Sequence, residues 1–461
     1  MNFRTKQYLR KRFGDYYQNA GLVLPHELLK REWGFILFDE LPEVVMRRHK
    51  AFFSEGEALE YLRGMVPAHA YHSAAYYKFP GAGTMKEKQW QGADLIFDLD
   101  ADHLPLKPRS YAEMLSNVKT ETRKLLDFLL DDFGFSESNI NMVFSGGRGY
   151  HIHVRDPKVL SLESAERREI VDYLSGTGLT VYCLFTPEKY IVHESGKSKK
   201  KELDAPKRII SFENQEGGFG WGKRVSKHLV SYLRKLSSKE EHIALGEISS
   251  AIYLFDGTFE APPKETKEIA CQIFQLKMEH PSWSSKRIIQ EIANNTIPES
   301  LIQNILSYGS GARKIINIAR SENAINMIQK DGIVDFTGVP QFFEIILQDT
   351  INEFGVQMGT KTDEPVTADV KRLIRMPSSL HGGSGMRVVP LTLPEFEKFE
   401  PLRDAVVFSE KEVQIEVIPP LKPQNSLVEM KGKSISVKEG INSLPEYAAM
   451  YLMCRGAAEY A

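Results

Sequence analysis

Cysteine is scarce in this chain, and its few cysteines lie far apart. Among the 461 residues, the cysteines are Cys183, Cys271 and Cys454. A disulfide framework needs several cysteines, and a zinc knuckle needs pairs of them at short spacing, so the sequence predicts neither kind of site. We expect the three thiols to be reduced and buried in the fold.

Long apolar runs are also absent from the sequence. A membrane-spanning helix needs roughly 18 or more consecutive apolar residues, and no stretch approaches that length. The first residues, MNFRTKQYLRKRFGDYY, lack the apolar block of a signal peptide. The sequence therefore predicts no membrane segment, and we expect the protein to be cytoplasmic.

The chain also lacks a large net charge. The net charge is −2 at pH 7, which excludes a uniformly basic coat for nucleic acid. Basic residues nevertheless cluster locally, at 4–12, 47–50, 197–208 and 371–375. The lysine-rich segment 197–208 is compatible either with a solvated loop or with a contact to a nucleic-acid template.

Length and hydrophobic patterning predict more than one structural unit. With 461 residues, of which 42% are hydrophobic, the chain exceeds one ordinary domain and can bury a substantial core. Strand-like and helix-like segments occur on both sides of a middle region that has mostly helical periodicity. We therefore expect an α/β or α+β core formed by residues 1–224 and 351–461, with a mainly helical insertion at 225–350.

An acidic strand is the first segment that indicates chemistry. In QGADLIFDLDADHLP, residues 91–105, alternation places Asp98 and Asp100 on one face of a strand and the adjacent apolar residues on the other. Two neighbouring carboxylates repel each other unless both are solvated or a cation lies between them. The motif alone leaves two alternatives open, which are a charged outer face of a strand and a metal site.

A helix and a hairpin follow the acidic strand. Ser110 and Glu113 have the spacing of a helix-capping box, and apolar residues then recur at helical period until Gly134. The next segment, INMVFSGGRGYHIHV, has two β-rich runs around a glycine loop, and we interpret it as a hairpin. This order of elements supports the mixed core.

The glycine loop carries groups suited to phosphate. Ser145 supplies a hydroxyl, Arg148 a guanidinium and His151 an imidazole, while adjacent glycines let backbone amides approach an oxyanion. The alternative is a tight turn with an exposed arginine and a half-buried histidine. His151 and His153 alone make a weak case for a metal site, because no third ligand is nearby in sequence.

A second basic stretch contains Arg375 and His381. In VTADVKRLIRMPSSLHGGSGMRVVPL, residues 366–391, we predict a short helix that stops before Pro377, then a glycine turn and a strand from Met386. The alternative to a functional role for these basic residues is a helix whose basic face is simply solvated. Together with the acidic strand and the glycine loop, this stretch completes a set of carboxylates for divalent cations and cationic groups for a polyphosphate, which nucleotidyl transfer needs.

The motifs and their order also resemble those of a known family. The resemblance runs through FPGAGTMKEKQWQGADLIFDLDADHLP, then FSGGRGYHIHV, then DEPVTADVKRLIRMPSSLHGGSGMRVV, and ends near YLMCRGAAEY. It is to the catalytic small subunit of archaeal and eukaryotic DNA primase, most closely the archaeal protein, and the combination is far more specific than any one motif. It implies a primase-polymerase core that synthesises short primers on single-stranded DNA.

The resemblance implies roles for individual residues. Asp98 and Asp100 match the family's paired metal-binding aspartates and Asp363 matches the third, so these catalytic residues would hold two Mg²⁺ or Mn²⁺ ions. The positions that match nucleotide-binding residues are Ser145, Arg148, His151, Arg375 and His381, and more loosely Arg48. Relatives commonly carry a zinc knuckle after the acidic strand. Because residues 101–140 contain no cysteine, we expect no structural zinc.

Partners follow from the same resemblance. It implies a heterodimer with the primase large subunit, a single-stranded DNA template and nucleoside triphosphate substrates. The large subunit would dock on the helical insertion or on the apolar segment SLPEYAAMYLMCRG, which is alternatively part of the core.

Two other functions stay open at this point. A primer-extending polymerase of the same superfamily, used in repair or end joining, would share the metal and triphosphate residues, and initiation without a primer separates a primase from it. A non-catalytic nucleic-acid-binding module would need only the basic loops. Metal-dependent incorporation of nucleotides separates an enzyme from such a module.

Overall fold

The chain forms two compact units. They are Met1–Ser175 with Val356–Ala461, called the first unit below, and Gly176–Gly355, called the second unit. The predicted site residue Asp363 and the lysine-rich segment 197–208 lie outside the described residues. The computed structural model describes residues 1–101, 108, 110–185, 209–210, 220–255, 263–293, 297–334, 336, 340–356, 366–420 and 426–461.

The strands belong to the first unit, and the sheet pairings described there are antiparallel. In chain order the strands are β1 (Trp33–Ile36), β2 (Arg47–Lys50), β3 (His69–Ser73), β4 (Ala75–Tyr77), β5 (Trp90–Ala93), β6 (Leu95–Asp100), β7 (Ile140–Phe144), β8 (Gly149–Val154), β9 (Leu373–Arg375), β10 (Val389–Leu391), β11 (Glu412–Val417), β12 (Leu427–Met430), β13 (Lys433–Ser436), β14 (Gly440–Pro445) and β15 (Ala458–Tyr460). Two four-stranded sheets have the orders β10-β7-β8-β6 and β2-β1-β3-β9.

Helices occur in both units. In chain order they are α1 (Phe3–Asn19), α2 (Glu55–Met65), α3 (Met85–Lys88), α4 (Tyr111–Asp127), α5 (Ser164–Ser175), α6 (Gly220–Ser237), α7 (Glu241–Phe255), α8 (Pro263–Glu279), α9 (Ser285–Ile292), α10 (Glu299–Arg320), α11 (Glu322–Asp331), α12 (Pro340–Phe354), α13 (Leu393–Lys398), α14 (Pro401–Asp404) and α15 (Glu446–Cys454). The second unit contains α6 to α12. The mixture of helices and antiparallel sheets is that of an α+β protein.

The predicted acidic strand and glycine hairpin lie in one sheet. β6 pairs with β8 so that Asp98 lies opposite His151 and Asp100 lies opposite Gly149, and β7 pairs with β8 as the predicted hairpin. The apolar face of β6 is buried while both aspartates are half-buried, because alternate residues of a strand face opposite sides. The carboxylates therefore face the same side of the sheet as the imidazole.

The helix predicted after the acidic strand is confirmed. Its N-cap is Ser110, whose side chain accepts a hydrogen bond from the backbone N–H of Glu113 at 3.1 Å. The helix α4 packs against β6 and β8, and its apolar face is buried. After a π-helical turn, Phe128–Asp132, the chain turns at Gly134 with φ +64°. Helix α4 thus packs against the sheet that carries the two aspartates.

The helix predicted before Pro377 is wrong. Val366–Ala368 is a 3₁₀ turn, and the basic stretch then forms β9, which pairs with β3 so that Arg375 lies opposite Tyr71. Helical spacing of the basic residues supported the prediction, but pairing with β3 supplies the backbone hydrogen bonds here and buries the central residue of β9. The strand predicted after the glycine turn is present but shorter, and as β10 it pairs with β7.

The three cysteines are free thiols, but only one is fully buried. Cys454 is buried, Cys271 is half-buried and Cys183 is exposed, so the prediction of burial holds only for Cys454. Cys183 lies in the 3₁₀ turn Val181–Leu184, whose two terminal residues are the buried ones. Burial raises the pKa of the Cys454 thiol to about 12.

Candidate active site

A cavity of about 570 Å³ lies in the first unit beside the acidic strand. Strand β6, the loop between β7 and β8, strand β9 and the glycine turn after it all contribute side chains to its wall. The lining residues are Tyr71, Asp98, Asp100, Tyr111, Ser145, Gly147, Arg148, His151, Arg372, Leu373, Ile374, Arg375, His381, Gly383, Ser384, Cys454 and Arg455. Segments far apart in sequence therefore meet around one space.

Most of the residues predicted for the site line this cavity. Those brought together are Asp98, Asp100, Ser145, Arg148, His151, Arg375 and His381. Arg48 does not line it. Instead, the guanidinium of Arg48 donates hydrogen bonds to both carboxylate oxygens of Glu32, at 3.0 and 3.3 Å, and to the backbone carbonyl of Lys371 at 3.2 Å. The role of Arg48 in nucleotide binding stays a prediction.

Each aspartate of β6 faces a cationic or imidazole neighbour. Arg372 Nη2 donates a hydrogen bond to Asp98 Oδ2 at 3.2 Å, and His151 Nε2 lies 3.5 Å from Asp98 Oδ1. Arg148 Nε lies 3.6 Å from Asp100 Oδ1. These neighbours offset the repulsion between two carboxylates on one strand face. The strand can therefore hold both carboxylates side by side at the cavity wall.

The glycine loop is folded around Ser145. Its Oγ accepts hydrogen bonds from the backbone N–H groups of Gly147, at 3.4 Å, and Gly149, at 3.2 Å. A β-carbon at Gly149 would lie 2.0 Å from the carbonyl oxygen of Leu99, so only glycine fits beside β6 at this point. These contacts constrain the backbone of the loop, which places Arg148 at the cavity wall.

Tyr111, at the start of α4, contacts the same glycine loop through a hydrogen bond. Its hydroxyl donates a 2.6 Å hydrogen bond to the carbonyl oxygen of Gly147. Burial raises the pKa of Tyr111 well above its ordinary value, so the hydroxyl keeps its proton and remains a donor.

We expect Tyr111→Phe to loosen the loop without unfolding the protein. Loss of a hydrogen bond worth about 1 kcal/mol predicts an increase of about fivefold in nucleotide KM. The matched control is Tyr173→Phe, which removes a 3.0 Å hydrogen bond to Asp132 outside the cavity. Steady-state kinetics of both variants check the expectation, and an equal KM for the two would contradict it.

Burial keeps the histidines of the cavity neutral. Desolvation lowers the pKa of His151 to about 4 despite the nearby Asp98 carboxylate. Burial and the charge of Arg375 lower the pKa of His381 well below its ordinary value. At neutral pH both imidazoles are uncharged, so they can act as hydrogen-bond donors or acceptors while the arginines carry the positive charge.

Arg375 is held by neighbouring residues of strand β3, with which β9 pairs. Its Nη1 donates a 2.6 Å hydrogen bond to His69 Nδ1, and its guanidinium carbon lies 5.0 Å from the ring centroid of Tyr71. Burial and the Arg375 charge lower the pKa of His69 to about 3, which keeps that nitrogen an acceptor. The arginine is thus held at the wall where an anion would meet it.

The structure adds cavity residues to which the sequence gave no role. They are Tyr71, Tyr111, Arg372, Cys454 and Arg455. Tyr71 comes to the site through its register opposite Arg375, and the last two come from the end of a helix remote in sequence. Arg372 lies within the basic stretch, and Cys454 and Arg455 lie within the segment YLMCRGAAEY of the family resemblance, but the pairing of Arg372 with Asp98 needed the fold.

The chemistry of the donor set fits a divalent metal ion. Mg²⁺ prefers oxygen ligands and is often bound by one or two carboxylates together with phosphates of the substrate. Asp98 and Asp100 offer two partly exposed carboxylates on one face of β6. Over the described part of the chain, no group of three histidine, cysteine, aspartate or glutamate side chains is arranged as a ligand set.

Comparison with known proteins identifies the family. A sequence profile of the DNA primase small subunit matches residues 97–393. The chain is 45% identical to the DNA primase small subunit PriS of Methanococcoides burtonii over the whole of both chains, and 44% identical to that of Methanocella arvoryzae, again over both whole chains. The chain therefore belongs to the DNA primase small subunit family, and the activity of that family, DNA-directed primer synthesis by nucleotidyl transfer, is its own.

Proposed function

We propose that the cavity is the place of primer synthesis and that it works by two-metal nucleotidyl transfer. The observation that carries this proposal is that Asp98 and Asp100 share one strand face and line the same cavity as Arg148 and Arg375. Paired carboxylates for cations and guanidinium groups for a triphosphate then face one space.

Two Mg²⁺ or Mn²⁺ ions would be held by Asp98, Asp100 and Asp363, and they would supply Lewis-acid stabilisation of the charge that develops on phosphate. The side chains of this chain do the rest. Arg148 and Arg375 attract and orient the triphosphate, because guanidinium forks match phosphate oxygens. The neutral imidazoles of His151 and His381 contribute hydrogen bonds, and the amide-bound Ser145 hydroxyl fixes the loop. In this proposal no structural zinc takes part.

The proposed partners are the primase large subunit and single-stranded DNA, with nucleoside triphosphates as substrates. The relatives are named as small subunits, which supports a larger partner. Helix α15 is buried along its whole length, which favours the helical region as the docking surface. We propose that residues 225–350 form this helical insertion between core segments 1–224 and 351–461, and the run of helices from α6 to α12 supports it.

We also propose that the protein works in the cytoplasm. No described helix is both long enough and apolar enough to cross a membrane. The proposal rests on the need of primer synthesis for access to DNA and nucleotides.

Incubation of the purified chain with an unprimed single-stranded template tests the function. The reaction contains Mg²⁺ or Mn²⁺ and labelled ribo- or deoxyribonucleotides, and products are separated by length. We expect short products from wild type, and the labelled sugar that is incorporated shows the preference. Products only on a primed template would indicate an extending polymerase or a subunit that needs its partner to begin. DNA binding without any incorporation would indicate a binding module.

Arg148→Ala should weaken nucleotide binding more than it slows turnover. Loss of a charge-assisted contact with phosphate is worth about 1.5 to 3 kcal/mol, which predicts a roughly 10- to 100-fold higher KM. Arg10→Ala is the matched control, because it removes an exposed arginine paired with Asp39 outside the cavity. An unchanged nucleotide KM together with weaker template binding would assign Arg148 to the DNA path instead.

A further inference from the structure

Arg372 lies at the cavity wall and binds a proposed metal ligand directly. Its Nη2 donates the 3.2 Å hydrogen bond to Asp98 Oδ2, so the two groups form a charged pair. The Asp98 side chain is 15% exposed and that of Arg372 is 40% exposed. One end of this pair is therefore held in the sheet, while the other end reaches solvent.

The backbone of Arg372 is held by hydrogen bonds, while its side chain is 40% exposed. Its carbonyl oxygen accepts a 2.9 Å hydrogen bond from the backbone N–H of Ala74, and its own N–H donates a 3.2 Å hydrogen bond to the carbonyl of Asp369. A change in the position of the guanidinium would therefore leave the backbone hydrogen bonds of the sheet intact, since the long side chain alone would move.

A divalent cation at Asp98 would compete with this guanidinium. Both need the carboxylate oxygens, and two cations a few ångströms apart repel each other. The other neighbour of Asp98 is the imidazole of His151, whose Nε2 lies 3.5 Å from Oδ1, on the carboxylate oxygen that Arg372 does not bind. Around the second aspartate, Arg148 lies farther away, 3.6 Å from Asp100. A cation at Asp98 would therefore meet the Arg372 guanidinium, which is hydrogen-bonded to that carboxylate.

We infer that Arg372 is an exchangeable counter-ion of Asp98 that sets the affinity of the site for divalent metal. Metal binding displaces its guanidinium from Oδ2 into the cavity, where a polyphosphate provides the replacement anion. The inference rests on the proposed function, because it takes Asp98 as a metal ligand. It assigns Arg372 a positioning role distinct from that of Arg375, whose guanidinium is held by His69.

Direct titration of the full chain with Mn²⁺ tests this inference without any turnover. Free Mn²⁺ is measured by electron paramagnetic resonance, in the absence of nucleotide and DNA. We expect Arg372→Gln to bind Mn²⁺ about fivefold more tightly than wild type, because removal of the charge ends both competition and repulsion. Arg372→Lys, which keeps the charge but loses the fork, should lie between the two.

The matched control is Arg123→Gln. Arg123 forms a similar ion pair with Glu397 on the surface, with both side chains about half exposed, and it does not line the cavity. Its Mn²⁺ affinity should equal that of wild type. Adding a nonhydrolysable nucleoside triphosphate should reduce the difference between Arg372→Gln and wild type, since the triphosphate attracts the wild-type guanidinium away from Asp98.

The outcomes separate the inference from the function on which it rests. Equal or weaker Mn²⁺ binding by Arg372→Gln, in a protein that unfolds at the wild-type temperature, overturns the counter-ion role while leaving the metal site in place. If Arg372→Gln does not fold, an affinity of Arg372→Lys no higher than wild type overturns it equally. Mn²⁺ binding that Asp98→Asn leaves unchanged would instead remove Asp98 from the metal site, and the proposed mechanism with it.

Discussion

Asp98→Ala and Asp100→Ala should each abolish nucleotide incorporation while leaving the protein folded. Both carboxylates are partly exposed at the cavity wall, with side chains 15% and 31% exposed. Neither fills the apolar core, so we expect stability to change by less than about 1 kcal/mol. Activity should fall by at least about 10³-fold, because losing several kcal/mol of charge stabilisation costs about tenfold for each 1.4 kcal/mol.

Primer synthesis and thermal unfolding, measured on the same preparations, check this expectation. Asp39→Ala is the matched control, since Asp39 is an exposed aspartate paired with Arg10 in the same unit. That control should retain both activity and stability. Normal synthesis by Asp98→Ala or Asp100→Ala would remove the carboxylate pair from the proposed mechanism.

Asp94→Ala should have the largest effect on stability. This carboxylate is fully buried together with Arg31, whose Nη2 lies 2.8 Å from Asp94 Oδ2. Tyr76 donates a 2.5 Å hydrogen bond to Oδ1, and Arg155 lies 3.4 Å from Oδ2. Removing the carboxylate leaves a buried guanidinium without its counter-charge. Such losses cost about 3 to 5 kcal/mol.

Denaturant unfolding of Asp94→Ala and of Asp15→Ala measures the difference. Asp15 pairs with Arg12 at 2.5 Å, but its side chain is 47% exposed. An exposed pair of this kind should contribute about 1 kcal/mol or less. A similar loss in the two variants would show that burial of the Asp94 network adds nothing to the stability of the first unit.

The sign of the pH dependence follows from the pKa of Asp94. Burial alone would raise that pKa, but the charge of Arg31, the hydrogen bond from Tyr76 and the charge of Arg155 lower it. The folded carboxylate thus stays ionised where the unfolded chain begins to take up protons. Its contribution is complete above the ordinary aspartate pKa and is lost as the pH falls through the lowered value.

Local pattern was sufficient to predict several parts of the site. The alternation in β6 placed Asp98 and Asp100 on one face, and the glycine signals predicted the hairpin that carries Arg148. The capping pair at Ser110 predicted the start of α4. Each of these features depends on residues within a few positions of one another, and such signals are readable in a single sequence.

Pattern failed where a distant partner decided the backbone. The basic stretch before Pro377 has helical spacing, yet it is a strand because β3 is available to pair with it. Likewise, the local sequence around Cys183 does not show that its two turn neighbours would take the buried positions. At β9, tertiary pairing outweighs weak local preference.

The sequence by itself determined the chemical groups of this primase and the strand face on which Asp98 and Asp100 lie. It did so because side-chain alternation and glycine conformation are local properties. Only the tertiary structure decided that Arg372 pairs with Asp98, that Tyr111 holds Gly147 and that Arg48 binds Glu32. Those contacts join residues remote in sequence, and they depend on how separate strands and helices pack against one another.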